Sequence, residues 1–188
     1  MWGNTMNAKC DLCNEIAKIG TVRLGGRELC DACNMGDLPS RMRRVWGWNI
    51  DIHEKQYQYK DTVLYVTHFE VWFKPTGQLD LLCKRKKLRH KLFGFLMPNK
   101  VKSGDPLFDN FAILQSKTPA QLSPILKQEG FQSIVMDLLG DTSKVTVKTR
   151  RLTLSRRVLD EYDPPQRLFV EVAILASYLD HRFSDKAE

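Results

Sequence analysis

Between Thr62 and Phe73 the chain is rich in β-branched and aromatic residues at both alternating sets of positions, which predicts a strand covered on both sides. The extended signal runs from Ile50 to about Leu96. Pro75-Thr76-Gly77 predicts a turn, and Leu79, Leu81 and Cys83 mark the inward side of a returning strand. Met97 to Pro106 carries Pro98, Gly104 and Pro106 and reads as a loop between two subregions. Helical spacing follows. Thr118-Pro119-Ala120-Gln121 matches a capping box with proline at the first helical position, and Pro124 predicts a kink or a restart capped by Ser123. Phe131, Ile134, Val135, Leu138 and Leu139 form the stripe of an amphipathic helix stopped by Gly140. Val145/Val147 and Leu152/Leu154 alternate as two strands. A final helix starts after Asp163-Pro164-Pro165 and runs to about Phe183, with apolar positions broad enough to imply deep burial.

This order of elements predicts an α+β protein. Its β-rich first half is followed by helices and a hairpin. Upstream, Thr21-Val22-Arg23-Leu24, Gly25-Gly26 and Arg27-Glu28-Leu29 read as two short strands joined by a tight turn, since both glycines can take positive φ. Asp37 to Trp48 is a connector with a short helix, Pro39 near its start and Gly47 near its end. The chain thus divides into a module at 1–36, a connector at 37–49 and an α+β domain at 50–188, with a further division open near 97–106.

Composition narrows the class. With 43% hydrophobic and 10% aromatic residues, 188 positions suffice for a packed core and exclude global disorder. The formal charge of +7 favours anionic partners, a tendency shared by many proteins that have none. The longest apolar stretch, Leu168 to Leu179, is too short to span a bilayer and contains Glu171. Trp2, Asn4, Thr5 and Asn7 interrupt any apolar run before Lys9, so a secretory leader is not expected and a cytoplasmic location is.

The most specific chemistry is Cys10, Cys13, Cys30 and Cys33, spaced C-x2-C-x16-C-x2-C. Two such pairs around a hairpin are the ligand pattern of one tetrahedral structural zinc ion. With no histidine or carboxylate in the set, no coordination position is left for water, which argues for structure over hydrolysis. A filled site would lower the net charge to about +5. Chance spacing, a redox pair or an iron–sulfur cluster are the competing readings. Intact thiolates require a reducing compartment.

The knuckles Cys10-Asp11-Leu12-Cys13 and Cys30-Asp31-Ala32-Cys33 resemble those of zinc ribbons and treble-clef fingers. The resemblance covers about 25 residues and implies metal binding. The spacing is near that of GATA-type fingers, without their longer loop and basic tail. Asn34, Gly36 and Pro39 disfavour the helix that a treble clef needs, so a ribbon-like hairpin is expected. Gly104-Asp105-Pro106-Leu107-Phe108-Asp109-Asn110-Phe111, with the elements after it, is similar to a bacterial domain family of unknown function. That resemblance implies a bacterial source and transfers no catalytic residue.

Lys84, Arg85, Lys86, Lys87, Arg89 and Lys91 form the densest basic run. If extended, Arg85, Lys87, Arg89 and Lys91 share one face suited to a phosphate backbone. Arg150, Arg151, Arg156 and Arg157 could join it, with Arg43 and Arg44 nearer the cysteines and Trp46, Trp48, Tyr57 and Tyr59 as stacking surfaces. A nuclear-import signal or a patch for anionic lipid has the same composition. The plainer reading is a solvated strand whose charges discourage edge pairing. His68 and Glu70 alternate on a strand as an acid–base pair could, though such residues are more often the polar side of a sheet. No catalytic residue is assigned, and Cys83 is expected to be a buried apolar side chain. The expected function is non-enzymatic, a structural zinc module supporting a surface for a protein partner. A nucleic-acid binder is the first alternative and an unrecognised enzyme the second.

Overall fold

The computed structural model describes residues 7–10, 12, 16–24, 27–30, 33, 38–59, 62–73, 79–87, 97–128, 130–148, 151–158 and 166–180. Two antiparallel sheets organise them. The first is three-stranded, order β1-β2-β3, from Asn7–Lys9 (β1), Ile16–Leu24 (β2) and Arg27–Cys30 (β3). The second has seven strands, Asn49–Tyr59 (β4), Thr62–Trp72 (β5), Asp80–Arg85 (β6), Lys100–Val101 (β7), Ala112–Gln115 (β8), Thr142–Lys148 (β9) and Arg151–Val158 (β10), in the order β4-β5-β10-β9-β6-β8-β7. Five helices accompany them: Leu38–Trp46 (α1), Pro106–Phe111 (α2), Pro119–Leu126 (α3), Phe131–Asp141 (α4) and Gln166–Leu179 (α5).

Period-two alternation becomes two apolar rows across the large sheet. Register places Ile50, Val71, Leu152, Val147 and Leu81 side by side, and next to them Ile52, Phe69, Leu154, Val145, Cys83, Leu114 and Val101. Against this face pack α4 and α5. Phe69 meets the ring of Phe169 edge-on at 5.3 Å, and Phe131 meets Tyr178 at 5.8 Å. From Val170 to Asp180 every residue is buried, as the broad apolar pattern requires. Strands from before and after 97–106 hydrogen-bond in this one sheet, β6 lying between β9 and β8.

Local expectations meet the tertiary context with four differences. In β5 Phe69 and Val71 are fully buried; on the alternate set Val66 is buried too, while His68 and Glu70 are half-covered and Trp72 is 43% exposed. The second set therefore lines the other face of the sheet, covered only in part. At the start of α3 the Thr118 hydroxyl does not cap the helix. It accepts from the Asp80 backbone N–H at 3.2 Å, because strand β6 supplies a donor there. The helix also runs through Pro124 for two further residues before ending. Gly140 does not stop α4, which continues to Asp141; the left-handed glycine is Gly130, φ 82°, just before the helix. The short helix expected here forms, with Pro39 in the first turn of α1 and Gly47 at φ 66° just past its end. The turn expected at Pro75–Gly77 lies outside the described residues, as do 181–183.

The Gly104–Phe111 segment has a purely local account. Asp105 caps α2 by accepting from the Leu107 N–H at 2.8 Å, and the Asp109 carboxylate accepts from the Ser103 N–H at 2.9 Å. Phe108 is fully buried and Gly104 takes φ +90°. Gly104, Asp105 and Asp109 of that motif therefore serve the turn, and Phe108 anchors it in the core.

Candidate metal centre and the open sheet face

Pairing about β2 assembles the cysteines. Lys9 lies opposite Ile16, so Cys10 follows β1 directly at the entry to β2; on the other side Cys30 lies opposite Ile19 at the end of β3. Leu24 pairs with Arg27, closing the hairpin across two residues that lie outside the described set. The sulfurs of Cys10, Cys30 and Cys33 all fall within 4.8 Å of one another and all three residues are buried. The Cys30 backbone N–H donates to the Cys10 sulfur at 3.4 Å, a contact that stabilises a thiolate. Three converging soft donors with an amide aimed at one of them fit a thiophilic metal ion. Cys13 lies outside the described residues.

The cluster is joined to the rest of the fold. Leu12, fully buried, accepts through its carbonyl from the Trp46 indole N–H, and Met42 and Trp46 of α1 share one apolar core with the cysteines. Trp48 stacks near Trp46 at 6.3 Å and donates to the Asp180 carboxylate at 2.5 Å, tying the connector to the end of α5. Both tryptophans are thereby removed as stacking surfaces for nucleic acid. Tyr57 remains half exposed, and the side chain of Tyr59 lies outside the described set. The importance of Leu12 and Trp46 had no sequence signal beyond their apolar character.

The basic run divides. Lys84 sits on the outward face of β6, directly opposite Lys144 of β9. Arg85 lies over the Phe111 ring at 5.6 Å, and Lys86 donates to the Asp109 carbonyl at 3.1 Å. These two buttress α2 against the sheet. Lys87 is exposed, while Arg89 and Lys91 lie outside the described residues. Arg151 pairs in register with Lys148, stands over Trp72 at 5.2 Å and meets the Glu70 carboxylate at 3.6 Å. The outward face thus gathers Lys84, Lys144, Lys148 and Arg151. Lys144 and Lys148 were missed in the sequence because isolated lysines alternating with valines look like any solvated strand.

His68 and Glu70 do not form a pair. The His68 Nδ1 is 2.7 Å from the Ser155 hydroxyl, and Glu70 turns to Arg151. His53, opposite His68 on β4, meets Asp51 at 3.0 Å. Each group has its own polar neighbour on an open face, which is the polar side of a sheet. Cys83 is fully buried, and burial pushes its thiol pKa far above the ordinary range, so it stays protonated. Among the described residues no helix is long and apolar enough to cross a membrane.

No protein family, characterised protein or solved structure matches this chain on comparison.

Proposed function

We propose that this chain is a non-enzymatic zinc-binding protein whose metal clasp supports an interaction surface for a protein partner. Cys10, Cys30 and Cys33 would supply three ligands and Cys13, completing the first knuckle, the fourth. Four thiolates close the coordination sphere, and the ion then contributes folding free energy and no reactive water. One observation carries this reading: three buried sulfurs converge in the same apolar core as α1. An ion there would fasten the N-terminal sheet to the main domain through Leu12, Met42 and Trp46. The ribbon-like hairpin β2–β3 and the closed donor set support structural zinc over a redox pair. Such thiolates persist in a reducing compartment such as the cytoplasm.

Elemental analysis of protein purified under reducing conditions should find one zinc per chain, and separate Cys13→Ser and Cys33→Ser variants should lose it. Iron with visible charge-transfer absorption, or no metal at all, would overturn the proposal.

A second reading rests on the outward lysines and arginine. Lys84 beside Lys144 gives one part of the open face a cationic character suited to phosphates, while Lys148 stands opposite Asp80 and Arg151 meets Glu70. Nucleic-acid affinity that falls steeply with salt and weakens in Lys144→Ala with Lys148→Ala would favour it. No binding at low salt would exclude it.

A further inference from the structure

We propose that β4 is a self-pairing edge through which two copies of this chain join their large sheets. Among the described residues β4 ends the seven-strand order, and over its eleven residues it is paired on one side, to β5, without a bulge or a proline. Bulges, prolines, charged side chains and very short strands are the usual means by which an edge is blunted, and of these β4 carries charges alone, of both signs. The opposite edge, β7, is two residues long and uses the last of these devices. Asp51, His53, Lys55, Gln56 and Tyr57 are all exposed, and among the described residues α1 reaches the start of the strand, where Arg43 donates to the Asn49 side-chain oxygen at 2.5 Å.

The occupant follows from charge and register. Antiparallel pairing of two β4 strands about a two-fold axis at His53 sets each residue opposite the one equally far on the other side. Asp51 then faces Lys55 of the second copy, and Lys55 faces its Asp51, two opposite-charge pairs from one symmetric contact. Asp51, His53 and Lys55 lie on the same face of the strand, so both pairs form on the outward side. Half-exposed Tyr57 comes opposite Asn49. Moving the axis by one residue destroys this match. Centred one position earlier, Lys55 faces Asn49; centred one later, it faces His53 and Asp51 faces Tyr57. The backbone supplies the affinity and the charges fix the register. This surface is separate from the cysteine cluster and does not depend on metal.

Sedimentation equilibrium of the full chain, from low to high micromolar concentration, tests the idea. The wild type should form a dimer. Asp51→Lys and Lys55→Asp each convert both ion pairs into like-charge contacts and should raise the dissociation constant at least about tenfold, with circular dichroism unchanged. The double variant Asp51→Lys/Lys55→Asp should recover dimerisation. An equal mixture of the two single variants should form a heterodimer, since one carries only lysines and the other only aspartates at these positions. A wild type monomeric throughout the range would overturn the proposal. So would single variants that dimerise as tightly as the wild type, or a double variant that fails to recover.

Discussion

Around the three-stranded sheet the residues described as buried are Cys10, Leu12, Cys30 and Cys33, whereas the seven-stranded sheet packs rows of valine, leucine, isoleucine and phenylalanine under two helices. The same backbone architecture therefore rests on different chemistry. The large sheet gains its stability from apolar area, which needs no cofactor and is spread over many side chains. Three of the four buried residues described beside the small one are thiols, which contribute little by packing alone and much when they share an ion. A segment of this size has too little core of its own, and under the proposed function its route to order would be the metal plus its seam with α1.

Separating the two regions should produce the largest effects. Cys30→Ser, or exhaustive chelation, should strip β1–β3 of amide-exchange protection while β5, β9 and β10 keep theirs, since apparent zinc contributions in small modules reach about 10 kcal/mol. Trp46 emission should shift to the red in the same experiment, because its indole N–H bonds the first knuckle at Leu12. Uniform loss across both sheets would mean that the metal governs the whole fold. Full protection without metal would mean that packing suffices.

Phe131→Ala is the converse. It opens a cavity between α4 and α5 and should cost about 3–5 kcal/mol in a global transition, read by urea unfolding. A change confined to the first sheet would contradict the division.

The lone cysteine of the large sheet should behave opposite to those of the cluster. Burial raises the folded Cys83 pKa above its unfolded value, so the folded state holds a proton that the unfolded chain releases as pH rises. Stability from this group is complete below the unfolded thiol pKa of about 8.5 and declines above it, by about 2 kcal/mol between pH 8.5 and 10. The unfolding free energy of Cys83→Ala, measured beside the wild type, should lack that decline. Parallel curves would show that Cys83 ionises as freely folded as unfolded.

The smallest effect sits at the turn before β8. Asp105→Ala should cost about 1 kcal/mol by removing the cap on α2, and Asp105→Asn should restore most of it. Equal losses in both variants would point to the carboxylate charge instead of the cap.

How much of this was legible in the chain differs between its parts. The stripe from Phe131 to Leu139, the Val145/Val147 and Leu152/Leu154 alternations and the connector helix announced themselves, because their determinants are local. The Thr118 capping box was legible yet misleading, since a donor from β6, distant in sequence, took its hydroxyl. The cysteine spacing pointed to a shared ligand set, and the fold brings the described members together. The basic run promised a single stripe, but Arg85 and Lys86 were taken up in holding α2.

The sequence by itself determined most of the elements, the apolar face of the long strands and the cysteines as a candidate ligand set, because these follow from periodicities of two and 3.6 residues and from the chemistry of short spacings. Only the tertiary structure decided that β10 lies between β5 and β9, that Lys84 meets Lys144, that Trp46 grips the first knuckle, and that β4 is left at an edge. Strand order is a non-local choice. It is settled by which rows of side chains can be buried together under α4 and α5, and no window along the chain contains that information.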